Sequence, residues 1–298
     1  VYQKEKITNP ISVSVKRERL DIMDKWMNID PQIRLKYADF YFGISNVQEL
    51  QQGEVYNFRR YNVVSILQQQ EKELQEWIMS DPDRAAKWGD VLDKLSRYYK
   101  GTEDVARNLQ YYRETLVSGQ GFIYLGNRSR SFSTGRGSKE PDSLIVGTVM
   151  HKNYVATIER GYEQSDMRVE RDLLNYQLKL VMENVDKRYW GDYITQLYKE
   201  FNGNCQAITD YIYNNSILMH PEKFREAVKV NQPATLFTKD PLSLLTGSTG
   251  MKPFNDAERE VTGKDNIFDL EAYYTRALYQ MRKEKNIVQY PDANSTMR

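Results

Sequence analysis

The chain has 298 residues, 42 of them basic and 41 acidic, for a net charge of +1. A protein whose main task is to neutralise a phosphate backbone carries a basic surplus, and this one does not, which counts against nucleic-acid binding. With 40% hydrophobic and 28% charged residues the composition reads as soluble and globular, and no run nears the roughly 18 apolar residues of a membrane helix, so no membrane insertion is expected.

The first residues, Val1 to Lys6, contain no apolar segment followed by small residues and no initiator Met. No signal peptide is expected in the chain, which reads as a processed product or a piece of a longer one. Leu20, Met23, Trp26 and Met27 share one face of a helix ending near Asn28-Ile29. Asp30-Pro31 then has the form of a helix start, in which Asp accepts from a free backbone N–H and Pro takes the first helical position. Leu35, Tyr37, Ala38, Tyr41, Phe42, Ile44, Val47 and Leu50 follow with a period of three to four, predicting an apolar face on a second helix. Gly53 is a candidate kink, after which Val55, Phe58, Val63, Leu67, Leu74 and Ile78 resume the pattern.

Asp81-Pro82 opens a helix expected over about 82–99, and others are expected at about 103–117, 165–185, 205–216, 221–230 and 269–285. Asp240-Pro241 is a third capped start. Residues 118–140, rich in Gly, Ser and Arg, read as a surface loop or short hairpin. Leu144–Val149 has strand-like β-branched residues but is assigned to helix from its surroundings. The segment from Thr246 to Lys264 reads as loop-rich. No repeat at 30–50-residue spacing is present, which argues against a regular solenoid. The expected fold class is therefore all-α, an irregular multi-helix domain spanning 1–298 with one long loop.

No enzyme site assembles from these residues. His151 and His220 lie far apart, and Cys205 is the only cysteine, so neither a metal set nor an internal disulfide is expected. No G-x-S-x-G occurs, and the glycines around Gly119 and Gly121 match no phosphate loop. The basic loop carrying Arg128, Arg130, Arg136 and Lys139 could meet an anion, though a solvated loop is the simpler reading. Glu71, Glu73 and Glu76 read as solubilising helix charges. On the residues alone the chain is a binding or regulatory module, and 22 tyrosines suit wet grooves that receive peptides or partner helices.

Three stretches resemble one family. Residues 16–77 begin with a leading helix, continue with an Asp30-Pro31 start followed by Tyr37-Ala38, and include Ser45-Asn46 with Gly53 seven residues on. Residues 201–228, FNGNCQAITDYIYNNSILMHPEKFREAV, and then KDPLSLL at 239–245, continue the likeness. The last eight residues, PDANSTMR, carry its most specific signature. Together they resemble the helical domain of the bacterial dipeptidyl-peptidase 7 and 11 family of serine peptidases.

That resemblance implies a cap domain inserted between the halves of a chymotrypsin-like double β-barrel, with 286–298 as the linker toward the second barrel. It implies that the catalytic Ser, His and Asp all lie outside this chain, that the isolated chain is inactive, and that no cofactor or metal is used. Its partners would be the oligopeptide N-terminus and the two barrel halves of the same polypeptide, and a homodimer is compatible with it. The parent would be periplasmic, secreted or on the cell surface. Asn46 is the position matching the family's helical-domain Asn, which helps hold the substrate ammonium. Here Val47-Gln48-Glu49 follow it, where relatives often have an aromatic pair and Lys. The alternative from another class is a stand-alone helical module that binds a peptide or protein.

Overall fold

The computed structural model describes residues 1–117, 121, 123, 125–126, 148–229, 239–247, 250–263 and 265–287. The fold is all-α, with no strand among the described residues, and no described helix is long and apolar enough to cross a membrane. The chain divides into two compact units. The larger holds residues 7–53 and 106–254, and the smaller holds 1–6, 54–105 and 255–298.

In the larger unit α1 (Asn9–Ile29) leads to the first half of α2 (Pro31–Arg60), a helix of 30 residues. The Asp30 carboxylate accepts from the Gln32 N–H at 3.0 Å, so the Asp-Pro start works as its chemistry dictates. The same unit contains α7 (Val149–Glu163) and α8 (Met167–Asn184). It also holds α9 (Asp192–Glu200), α10 (Cys205–Asn215), α11 (Pro221–Ala227) and α12 (Pro241–Gly247). Ile33, Tyr37 and Ile44 from α2 join Leu20, Met23 and Met27 from α1 and Val169 and Leu173 from α8 in one buried cluster. Three polar ties orient this packing. Trp26 Nε1 donates to Asp172 at 2.8 Å, the Tyr41 hydroxyl to Asp24 at 2.9 Å, and Lys36 to the Ser165 carbonyl at 2.9 Å.

The most buried tie is Tyr37. Its hydroxyl donates to Glu170 Oε1 at 2.6 Å and accepts from the Asp166 N–H at 2.9 Å. Tyr37 is 2% exposed and Glu170 3%, and burial, reinforced by the Glu170 charge, pushes the phenol far above its ordinary range. Gly121, at φ +66°, lies against Glu170 from another side. A Cβ there would come within 1.8 Å of the carboxylate, so both backbone angle and space require glycine.

Asp240 performs a similar service at α12. Its carboxylate accepts from the Ser216 hydroxyl, the Ile217 N–H, and the Leu242 and Ser243 N–H groups, all at 2.7–3.0 Å. One buried side chain thereby caps a helix and fixes the turn before it, although burial still raises its pKa.

In the smaller unit the end of α2 turns at Asn62, with φ 50°, into α3 (Val63–Met79). There follow α4 (Pro82–Trp88) and α5 (Val91–Gly101), with α14 (Ile267–Glu284) packed among them. Leu74, Trp77, Ile78, Trp88, Val91, Ala277 and Met281 form its core. The 82–99 expectation of one helix is corrected here. The chain breaks at Gly89-Asp90, where a Cβ on Gly89 would sit 2.5 Å from the Ala85 carbonyl oxygen.

Besides α2 and the π-helical Lys4–Thr8, two helices run across the unit boundary. They are α6 (Glu103–Tyr112), followed by a π-helical turn over Arg113–Val117, and α13 (Lys252–Thr262). The latter overturns the loop-rich reading of 246–264. Phe254 is the reason, since its ring is 1% exposed and stacks on Tyr189 at 4.5 Å and against Tyr112 at 5.1 Å. Most of 118–140, Leu144–Gly147 and the PDANSTMR motif lie outside the described residues, while Thr148 caps α7.

Two predictions follow from the α2–α8 junction. Tyr37→Phe removes the donor to Glu170 and the acceptor for Asp166, and should lower unfolding free energy by about 1–3 kcal/mol in urea with an unchanged m-value. The second concerns Arg168, which donates to Asp30 at 2.7 Å and to Asp166 at 2.9 Å. Those hydrogen bonds hold both carboxyls below their ordinary 3.8. Their contribution is present above about pH 4 and fades as pH falls through the lowered values. Arg168→Gln should therefore lose less stability than the wild type between about pH 4 and pH 2, measured by thermal unfolding.

Candidate functional site

A helix advances about 100° per residue, so residues spaced seven and four apart return to one face. On α2 the buried Ile33, Tyr37, Ile44 and Gln48 make one side. Leu35, Phe42, Asn46 and Leu50 make the opposite side, and all four are exposed. The exposure is large for the apolar three, at 77% for Leu35, 63% for Phe42 and 66% for Leu50. The predicted apolar face of α2 is thus two faces. One is consumed by α1 and α8, and the other is a ridge with no counterpart among the described residues of its unit.

Asn46 is the polar group in the middle of that ridge. Its helix neighbours satisfy themselves locally, Ser45 with Glu49 at 3.4 Å and Gln48 with Gln52 at 3.1 Å. The Asn46 amide has no hydrogen-bond partner among the described residues, so its carbonyl oxygen is available to accept and its NH2 to donate. Gly43 stands one turn before it, and a Cβ built there meets nothing within 4 Å. Glycine inside a helix costs about 1 kcal/mol relative to alanine, and no described residue lies close enough to require it here. It leaves open space on the helix surface one turn before Asn46.

The remaining sequence candidates fall elsewhere. The His151 ring Nε2 lies 3.2 Å from the Val228 carbonyl, and His220 precedes α11 with its ring edge against Tyr213. Cys205 Sγ is 3.3 Å from Met182 Sδ, and burial raises its thiol pKa. Among the described residues no three His, Cys, Asp or Glu side chains group to hold a metal. The basic loop with Arg128, Arg130, Arg136 and Lys139 lies outside the described residues. Sequence reading missed the ridge itself, because spacing alone counted Leu35, Phe42 and Leu50 as core.

Comparison with known proteins gives one answer. The Peptidase S46 family matches residues 1–298. The dipeptidyl-peptidase 7 of Capnocytophaga gingivalis is 23% identical over 303 residues, covering 100% of this chain and 40% of that protein. The Asp/Glu-specific dipeptidyl-peptidase of Flavobacterium psychrophilum is 24% identical over 312 residues, covering 98% and 40%. The crystal structure of Porphyromonas endodontalis DPP11 with the dipeptide Arg-Glu superposes with a TM-score of 0.72 at 19% identity, over 97% of this chain and 40% of that one. The chain thus spans 40% of the length of these relatives, and the fold is shared.

If the ridge faces outward, its substitutions are silent for folding. Asn46→Ala should change unfolding free energy by no more than about 0.5 kcal/mol. Gly43→Ala should stabilise by up to about 1 kcal/mol. A destabilising Gly43→Ala would mean that the added methyl group meets another part of the chain.

Proposed function

This chain belongs to the peptidase S46 family, and on that premise we propose that it is the helical, substrate-gating part of a serine-type dipeptidyl-peptidase. In this reading the catalytic groups are supplied by the rest of a longer polypeptide. Its partners are that catalytic portion and the amino end of an oligopeptide. The parent works in the periplasm or at the cell surface. This chain supplies a wall and an anchor, needs no cofactor, and is inactive by itself.

The observation that carries the reading is the Asn46 amide, without a partner among the described residues, on the outward ridge of a helix whose other side is fixed. An enzyme that releases dipeptides must count two residues from a free amino end. It does so by closing the cleft beyond the second residue and holding the ammonium there. An amide carbonyl is a good acceptor for an ammonium, because it gains a charge-assisted hydrogen bond without bringing in a second full charge that must be desolvated. Phe42 and Leu50 on either side would exclude water from that contact and strengthen it. Gating follows from the same geometry, since a ridge that moves away with its unit opens the cleft, and lid closure of this kind commonly sets turnover.

The test is Asn46→Ala in the full-length protein, assayed on a dipeptidyl reporter with a free amino end. Loss of one charge-assisted hydrogen bond should lower kcat/KM by about 1.5–3 kcal/mol, or about 10- to 150-fold. An unchanged kcat/KM would remove Asn46 from the site.

A further inference from the structure

We propose that the cleft between α4 and α14 in the smaller unit is a second binding site, for acidic side chains of a peptide. The cleft has a volume of about 740 Å³, within the range of small-ligand sites. Both helices present the same pattern to it. Asp83, Arg84, Lys87 and Trp88 come from two turns of α4, and Arg276, Tyr279 and Glu284 from α14.

The charges in the cleft do not cancel. Glu284 is fully engaged, accepting from Arg84 Nη1 at 2.8 Å, Gln280 Nε2 at 2.9 Å and Trp77 Nε1 at 3.0 Å. The Gln280 bond, then those from Trp77 and Arg84, hold its carboxyl below the ordinary range, so it stays ionised and neutralises Arg84. Lys87 and Arg276 are left without an acidic partner among the described residues, against Asp83 alone. Among the lining side chains three cations stand against two anions, and with Arg84 taken by Glu284 and by Asp81 at 3.9 Å, the donors left for a negatively charged occupant are those of Lys87 and Arg276.

The surfaces between those cations are aromatic. The Lys87 ammonium lies 4.5 Å from the Trp88 ring centroid, and the Tyr279 ring is 55% exposed on the opposite helix. An ammonium over an indole has three donors, so it can face the ring and still donate to a ligand. The Trp77 and Trp88 rings, 5.8 Å apart, stiffen the floor. A free inorganic anion would use the cations and leave the rings idle. A peptide with acidic side chains and apolar stems uses both.

The proposal rests on the peptidase reading only in choosing a peptide as occupant. The probe is a rhodamine-labelled peptide of alternating Glu and Tyr, acetylated at its amino end and amidated at its carboxyl end, titrated into the full-length protein at low salt and followed by anisotropy. With no free ammonium it has nothing for Asn46 to hold, so failure here leaves the Asn46 reading standing, and the reverse. We expect saturable binding, at least 10-fold weaker binding of the Gln-for-Glu counterpart, and at least a 10-fold loss in Arg276→Glu with Lys87→Glu. Lys152→Glu, an exposed lysine of the other unit, should change little. Should the reversals unfold the protein, Arg276→Gln with Lys87→Gln repeats the test. Equal binding of the two peptides, no binding of either, or an equal loss in Lys152→Glu would overturn the proposal. So would equal binding of a neutral peptide with a free carboxyl end, because the cleft would then read chain ends.

Discussion

The buried hydrogen bonds of Tyr37 decide which way α2 faces. Its hydroxyl donates to Glu170 and accepts from the backbone of Asp166, at the start of α8. Apolar contacts through Ile33 and Ile44 hold the helix against its neighbours but tolerate rotation, because the hydrophobic effect is not directional. A buried phenol between a carboxylate and an N–H has one good position, and a turned helix would strand all three groups without water. With Tyr37 inward, Asn46 and Leu50, nine and thirteen positions further on and so about half a turn out of phase with it, point outward. The outward placement of the proposed Asn46 site is therefore a consequence of the core on the other side of the same helix.

Much of the fold was legible in the sequence because its signals are local. Asp30, Asp81 and Asp240 each accept from backbone N–H groups just inside their helices, which an Asp-Pro pair announces without reference to the rest of the chain. The break between α4 and α5 was not legible. The apolar spacing runs through it, and only the tight approach of Gly89 to Ala85 shows where the helix stops. Nor was α13, whose charged surface hides the single Phe254 that docks it against Tyr189 and Tyr112.

The candidate site was half legible, for the opposite reason. Asn46 was selected by resemblance, and spacing by itself would have left it among solvent-facing asparagines. Leu35, Phe42 and Leu50 were read as core because a helix with apolar residues on two sides looks, in one dimension, like a helix with one broad apolar face. Three-dimensional burial separates them and leaves Asn46 among three exposed apolar side chains. The α4–α14 cleft is likewise a feature of three-dimensional placement. No motif marks it, and its character comes from which charges Glu284 satisfies and which it leaves.

One measurement tests the central claim directly: the crystal structure of the full-length protein with a bound dipeptide. The account predicts the Asn46 carbonyl oxygen within hydrogen-bonding distance, about 2.7–3.2 Å, of the dipeptide ammonium, with Phe42 and Leu50 shielding that contact. A dipeptide whose ammonium is held entirely by other groups, with Asn46 left in open solvent, would contradict it.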